Sequence, residues 1–177
     1  MKKFKVMTLL AATTIIFTAS AVAEPNLPPP IDDVVKLEKM AGSAGPFVTK
    51  ENFPKDYFLM PKNLPFLVGL SLYDSSSSKL NLSKKQIDAL VEIKKTVTPK
   101  VAKVGLEIKK LELDVVERIS LKYKGAKAKD LYATIDEIAK LRADLTKSHL
   151  ECIEKVKSIL TQEQYEELLD YGIINMF

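Results

Sequence analysis

Leu82-Ser83-Lys84-Lys85-Gln86 and Leu160-Thr161-Gln162-Glu163-Gln164 share one pattern: Leu, a hydroxyl residue, two polar residues, then Gln. Each reads as a helix start. The Ser83 or Thr161 hydroxyl can accept a backbone N–H three residues on, and Gln86 or Gln164 can reach back to the N–H of the cap itself. Between the two lie about seventy residues with almost no helix breaker. Two matching caps around such a span predict an all-α protein, built on a long, bent antiparallel helical hairpin with short flanking helices.

The arms of that hairpin differ. From Ser83 to about Tyr123, apolar residues fall at 87, 90, 97, 101, 104, 108, 111, 115 and 119, with Lys94 in the one missing slot. Gaps of three, four and seven make a heptad-like stripe. Ile93, Leu106, Leu113 and Val116 widen it beyond the seam of two helices, which predicts a homodimer. Pro99 removes one backbone hydrogen bond and predicts a bend in the first third, with Gly105 a second soft point. Lys124-Gly125-Ala126-Lys127 reads as the turn, Gly125 taking a left-handed position. The return arm, Lys129 to Ser158, carries its stripe at 131, 135, 138, 142, 145, 149, 152, 156 and 159. Three of those members are unusual: Arg142, His149 and Cys152. A terminal helix is expected from Thr161 to Tyr171, stopped by Gly172, with an apolar tail over 173–177 that needs cover.

Upstream the chain changes character. Lys2, Lys3 and Lys5, then the apolar run Val6 to Phe17, then Ala21-Val22-Ala23, predict a signal peptide over residues 1–23 and delivery to the periplasm. Nothing later approaches the roughly eighteen apolar residues of a membrane span, so no stable membrane insertion is expected. Residues 24–79 form a proline-rich arm with short helices over Ile31–Met40 and Phe66–Tyr73, expected to pack on the hairpin because its own core is too small. Residues 80–177 make the main helical domain.

Charge excludes some functions. The formal +4 falls close to neutral once the leader lysines go, leaving 24 basic against 23 acidic residues. Neither that balance nor export suggests nucleic acid as a partner. The distribution says more: residues 83–127 carry 12 basic and 6 acidic side chains, and 128–177 carry 6 and 10. The run Lys94, Lys95, Lys100, Lys103, Lys109 and Lys110 is offset by Glu107 alone. It is either a solvated helix face or, with the apolar flank beside it, a surface for exposed apolar segments of acidic clients.

No nucleophile elbow, phosphate loop or dinucleotide fingerprint occurs, and one histidine supports no catalytic triad, so no enzyme is expected. His149 and Cys152 lie at i and i+3 on one helix face, and both bind soft or borderline metals. Two side chains are too few for a closed site in one chain. The plainer reading places both in the core, where a cysteine is a small hydrophobe. As the lone cysteine, Cys152 forms no internal disulfide and is buried, reactive or paired between chains.

Taken together, these residues resemble the Spy/CpxP family of periplasmic proteins, known by a repeated Leu-Thr-x-x-Gln motif. Leu160, Thr161 and Gln164 match one copy fully. Leu82, Ser83 and Gln86 match the other with Ser for Thr, which keeps the capping hydroxyl. The likeness covers about residues 80–171, and the prolines of 24–79 set that arm apart. It implies an all-helical, cradle-shaped homodimer with a concave binding face and no enzymatic activity. The family includes an ATP-independent chaperone, an accessory protein that restrains an envelope-stress sensor kinase, and metal-binding sensors. The expectation is a holdase for unfolded or misfolded periplasmic proteins, with client contacts at Lys100, Lys103, Leu106 and Lys110. The alternative is a metal-responsive sensor, or an accessory protein of an envelope-stress two-component system, with a divalent transition metal on His149 and Cys152. Near-neutral mature charge departs from the basic chaperone members, and one histidine departs from the metal sensors.

Overall fold

The computed structural model describes residues 30–60, 64–122 and 124–174. The leader expected over 1–23, the start of the arm up to 29, and the last three residues of the tail lie outside that range. Among the described residues the chain forms α1 (Pro30–Ala41), α2 (Leu67–Tyr73), α3 (Lys84–Val116), α4 (Tyr132–Ile159) and α5 (Gln162–Ile174). Single 3-10 turns at Lys55–Tyr57, Ser77–Leu80 and Ala128–Leu131 punctuate it, and no strand occurs among these residues. No helix among them is long and apolar enough to cross a membrane.

α3 and α4 make the long helix–turn–helix. The 33 residues of α3 span about 50 Å at 1.5 Å per residue and run through Pro99 without interruption. α4 returns antiparallel: Glu112 near the end of α3 meets Arg142 in the first half of α4, while Leu90 near the start of α3 shares a core with Val156 near the end of α4.

The turn between them departs from the sequence expectation. α3 passes into a π-turn over Glu117–Leu121, and the Lys122 N–H donates to the Glu117 carbonyl at 3.1 Å. Lys124, not Gly125, takes the left-handed conformation, with φ 61°. Gly125 answers a different need. The Ala126 N–H donates to the Arg118 carbonyl at 2.9 Å, and a Cβ on Gly125 would lie 1.9 Å from that oxygen. Glycine is required there for close backbone approach. Gly172 does not end the last helix either, since α5 continues to Ile174.

Two apolar cores lie along the hairpin. At its base, Leu67 and Leu72 of α2, Leu80, Leu90, Val156, Leu160 and Leu168 are buried together. In its middle, Phe53, Tyr57 and Phe58 pack against Val101, Ala102 and Ile108 of α3 and Ile138 and Leu145 of α4. Both cores draw residues from either side of position 79. Each such apolar side chain, fully buried, contributes about 1.5–3 kcal/mol. Gly105 is a contact point rather than a soft one: a Cβ there would come within 3.1 Å of the Phe53 ring. The surplus width of the first-arm stripe is thus partly covered from within the chain. At the tip it is not, and Ile119, Leu121, Tyr132 and Ile135 remain exposed.

Candidate functional site

The two motifs form one joint at the base of the hairpin. Ser83 caps α3: the Gln86 N–H donates to Ser83 Oγ at 3.3 Å, and the Ser83 N–H donates to Gln86 Oε1 at 2.9 Å. Thr161 and Gln164 repeat this at the start of α5, at 3.2 and 3.0 Å. The two amides then cross. Gln86 Nε2 donates to the Ile159 carbonyl at 2.9 Å and to Gln164 Oε1 at 2.7 Å, and Gln164 Nε2 donates to the Leu80 carbonyl at 2.9 Å. Each glutamine therefore holds the backbone that leads into the other motif. Leu160 is buried below the joint and Leu82 packs on the same core. The spacing within each motif announces its cap. The cross-bonding between them carries no local signal beyond the repetition itself.

The polar residues inside the apolar stripes mark where the upstream segment docks. Lys94 donates to the Tyr73 hydroxyl at 2.8 Å and its ammonium lies 4.6 Å from the centre of that ring. Arg142 pairs with Glu112 at 2.5 Å and faces the Tyr57 ring at 5.8 Å. One turn on, the Leu59 N–H donates to Thr146 Oγ1 at 2.8 Å. Lys109, read in sequence as one of the basic run, turns inward. Its side chain is 7% exposed and pairs at 2.6 Å with Glu51, itself 11% exposed. Glu51 also accepts from the Tyr57 hydroxyl. Burial, then that hydrogen bond and the Glu51 charge, push the Tyr57 pKa far above its ordinary value. Sequence reasoning missed Glu51 and Tyr57, because nothing in a proline-broken segment has a period that pairs it with α3.

The expected client face is what remains of the lysine run. Lys100, Lys103 and Lys110 are exposed and Leu106 is half-buried. Leu106 and Lys110 come together in a shallow depression of about 420 Å³, bordered by Ala41, Leu113, Asp114 and Glu117. Lys100 and Lys103 lie outside it, farther toward the start of α3.

His149 and Cys152 line a second and more apolar feature. A cleft of about 390 Å³ opens between the upstream segment and the hairpin, walled by residues such as Phe53, Phe58, Leu67, Val97, Val101 and Ile153. The His149 ring packs against Phe58, with centroids 5.1 Å apart, and against Phe66 at 4.6 Å. Burial lowers its pKa, partly offset by a hydrogen bond to the Pro65 backbone. Proline offers only a carbonyl, so the imidazole donates. Its Nε2 is buried and has no hydrogen-bond partner, which leaves Nδ1 as the donor to Pro65. Cys152 is buried too, and that burial raises its thiol pKa against the opposing pull of Lys155. Among the described residues no three His, Cys, Asp or Glu side chains stand close enough to hold a metal ion. No family model, curated protein or solved structure matches this chain.

Proposed function

We propose that the chain is an exported, stress-related binding protein of the Spy/CpxP kind, acting in the periplasm as an ATP-independent holdase for unfolded envelope proteins. The observation that supports this reading most is the depression holding Leu106 and Lys110. It sets an apolar floor beside an exposed cation on a helix that also exposes Lys100 and Lys103. Met40, Phe47, Val48 and Leu113 are exposed in or next to the elements bordering it. Apolar surface rimmed by charge suits an unfolded segment, which offers apolar side chains and backbone without a fixed shape. In this proposal α3 bends at Pro99, and a second copy packs on the tip residues Ile119, Leu121, Tyr132 and Ile135. A cradle-shaped homodimer then presents two such faces on one concave side, the same tip patch being used by both copies. The activity needs no catalytic group and no cofactor.

The test is aggregation of a chemically unfolded protein diluted into buffer, followed by light scattering. The mature chain suppresses it near equimolar ratio without ATP, and Leu106→Ser combined with Lys110→Glu weakens the protection severalfold. Undiminished aggregation at severalfold excess overturns the reading. A second reading keeps the metal-responsive sensor, or a sensor-kinase accessory protein, because a partnerless His149 Nε2 and the Cys152 thiol share one cleft. Zinc, copper or nickel titrated into reduced protein and into a His149→Ala variant decides it. Equally weak binding in both removes the metal.

A further inference from the structure

The cleft beside α4 has two properties that ask for an occupant. Its volume, about 390 Å³, lies in the ~300–1,000 Å³ range of small-molecule sites, and its walls are mostly aliphatic and aromatic. It also holds an unmet polar demand. His149 is 5% exposed, its Nδ1 proton is engaged with Pro65, and its Nε2 is a buried lone pair without a donor. Leaving such an atom unsatisfied is a desolvation cost that nothing in the fold offsets. A water is a poor remedy, because it needs two to four polar partners. The side chains stacked on His149, Phe58 and Phe66, carry no polar atom.

We infer that this cleft binds a neutral amphiphile: an apolar body of small-molecule size bearing one hydroxyl, whose O–H donates to His149 Nε2. The apolar body fills the space between Phe53, Phe58, Val97 and Ile153, and the hydroxyl gives the imidazole the donor it lacks. A carboxylate could pair with Lys55 or Lys94 in the lining but would leave Nε2 unmet, since an ionised acid brings no proton to an acceptor nitrogen. A metal ion is a different chemistry for the same atom, with Cys152 Sγ its one other soft ligand in the cleft. This site shares no residue with the depression holding Leu106 and Lys110, so it stands or falls independently of the holdase reading.

Because His149 is the single histidine in the chain, its imidazole ¹⁵N signals are read without assignment. The experiment titrates the reduced mature protein with 4-butylphenol and, in parallel, with its methyl ether 4-butylanisole, which has the same body and no O–H. The expected result is about tenfold tighter binding of the phenol by calorimetry, the worth of one hydrogen bond of about 1.4 kcal/mol. It comes with a shift of the Nε2 resonance on phenol binding and none with the ether. His149→Phe keeps the ring packing and brings the two ligands to equal affinity. Val97→Phe fills the cleft from α3 and weakens both, with His149 left in place. Equal binding of phenol and ether by the unmodified protein overturns the proposal, as does no binding of either at millimolar concentration. An Nε2 signal that responds to zinc or copper(I) but not to phenol overturns it in favour of a metal.

Discussion

The base and the tip of the hairpin are made from the same two helices and the same repeating pattern, yet they are finished differently. At the base, α2 and α5 close over the seam, the crossed glutamines tie both helix starts together, and Leu90, Val156 and Leu168 lose all contact with solvent. At the tip, Ile119, Leu121, Tyr132 and Ile135 sit on the stripe or beside it and stay 46–60% exposed. An apolar stripe therefore says which face of a helix avoids water, but what covers it is decided elsewhere in the chain. The base is covered by sequence-distant leucines, the middle by the aromatic segment around Phe53 to Phe58, and the tip by nothing in the described chain.

The largest expected effect sets these ends directly against each other. Leu168→Ala removes a side chain with no exposed surface and is expected to cost about 2–5 kcal/mol by urea denaturation. Ile119→Ala, at 46% exposure, is expected to stay within about 0.5 kcal/mol at low protein concentration. A tip cost that grows with concentration would show that a second copy buries Ile119, and would sharpen the contrast into an interface. Similar costs at both ends, whatever the concentration, would break it.

A smaller effect isolates the joint that makes the base different. Gln86→Ala and Gln164→Ala each remove an internal cap bond and a bond to the other motif's backbone. Each is expected to cost about 1 kcal/mol, the scale of a net hydrogen bond. Because the two amides also bond each other at 2.7 Å, the double variant should depart from additivity by about 0.5–1.5 kcal/mol. Simple additivity would mean the motifs cap their helices independently and the base owes its closure to leucines alone.

How much of this was legible depends on which forces are local. The caps, the helix spans and the buried faces follow from spacing, and α3, α4 and α5 fall close to where the pattern puts them. The turn departs from its local signal, because Gly125 serves close approach to the Arg118 carbonyl rather than a left-handed φ of its own. The N-terminal segment was harder. Its prolines erase periodicity, so its pairing of Glu51 with Lys109 and of Tyr73 with Lys94 had no sequence signature. A trace did exist on the other side. Lys94, Arg142, His149 and Cys152 interrupt apolar stripes, and a polar residue in a core position implies a partner. For the first three the partners turn out to be the arm itself and Glu112.

His149 gives the smallest effect and a clean sign. Its folded pKa is held below the ordinary 6.5 chiefly by burial, so the native imidazole is neutral where the unfolded one begins to take up a proton. Between the two values the unfolded chain binds more protons than the folded chain, and stability then rises with pH. The contribution is complete above about pH 6.5 and is lost as pH falls through the unfolded value toward the folded one. The slope of that loss is at most about 1.4 kcal/mol per pH unit for one group. Lys55 and Lys94 line the same cleft, and the His149→Phe variant keeps both, so the comparison of the two proteins isolates His149. The measurement is the difference in urea-unfolding free energy between pH 7.5 and 5.5, taken for the natural chain and for His149→Phe. The natural chain should lose stability over this interval and the variant should lose less. Equal losses would mean that the middle of the hairpin opens easily enough to hydrate His149, making it more like the tip than the base.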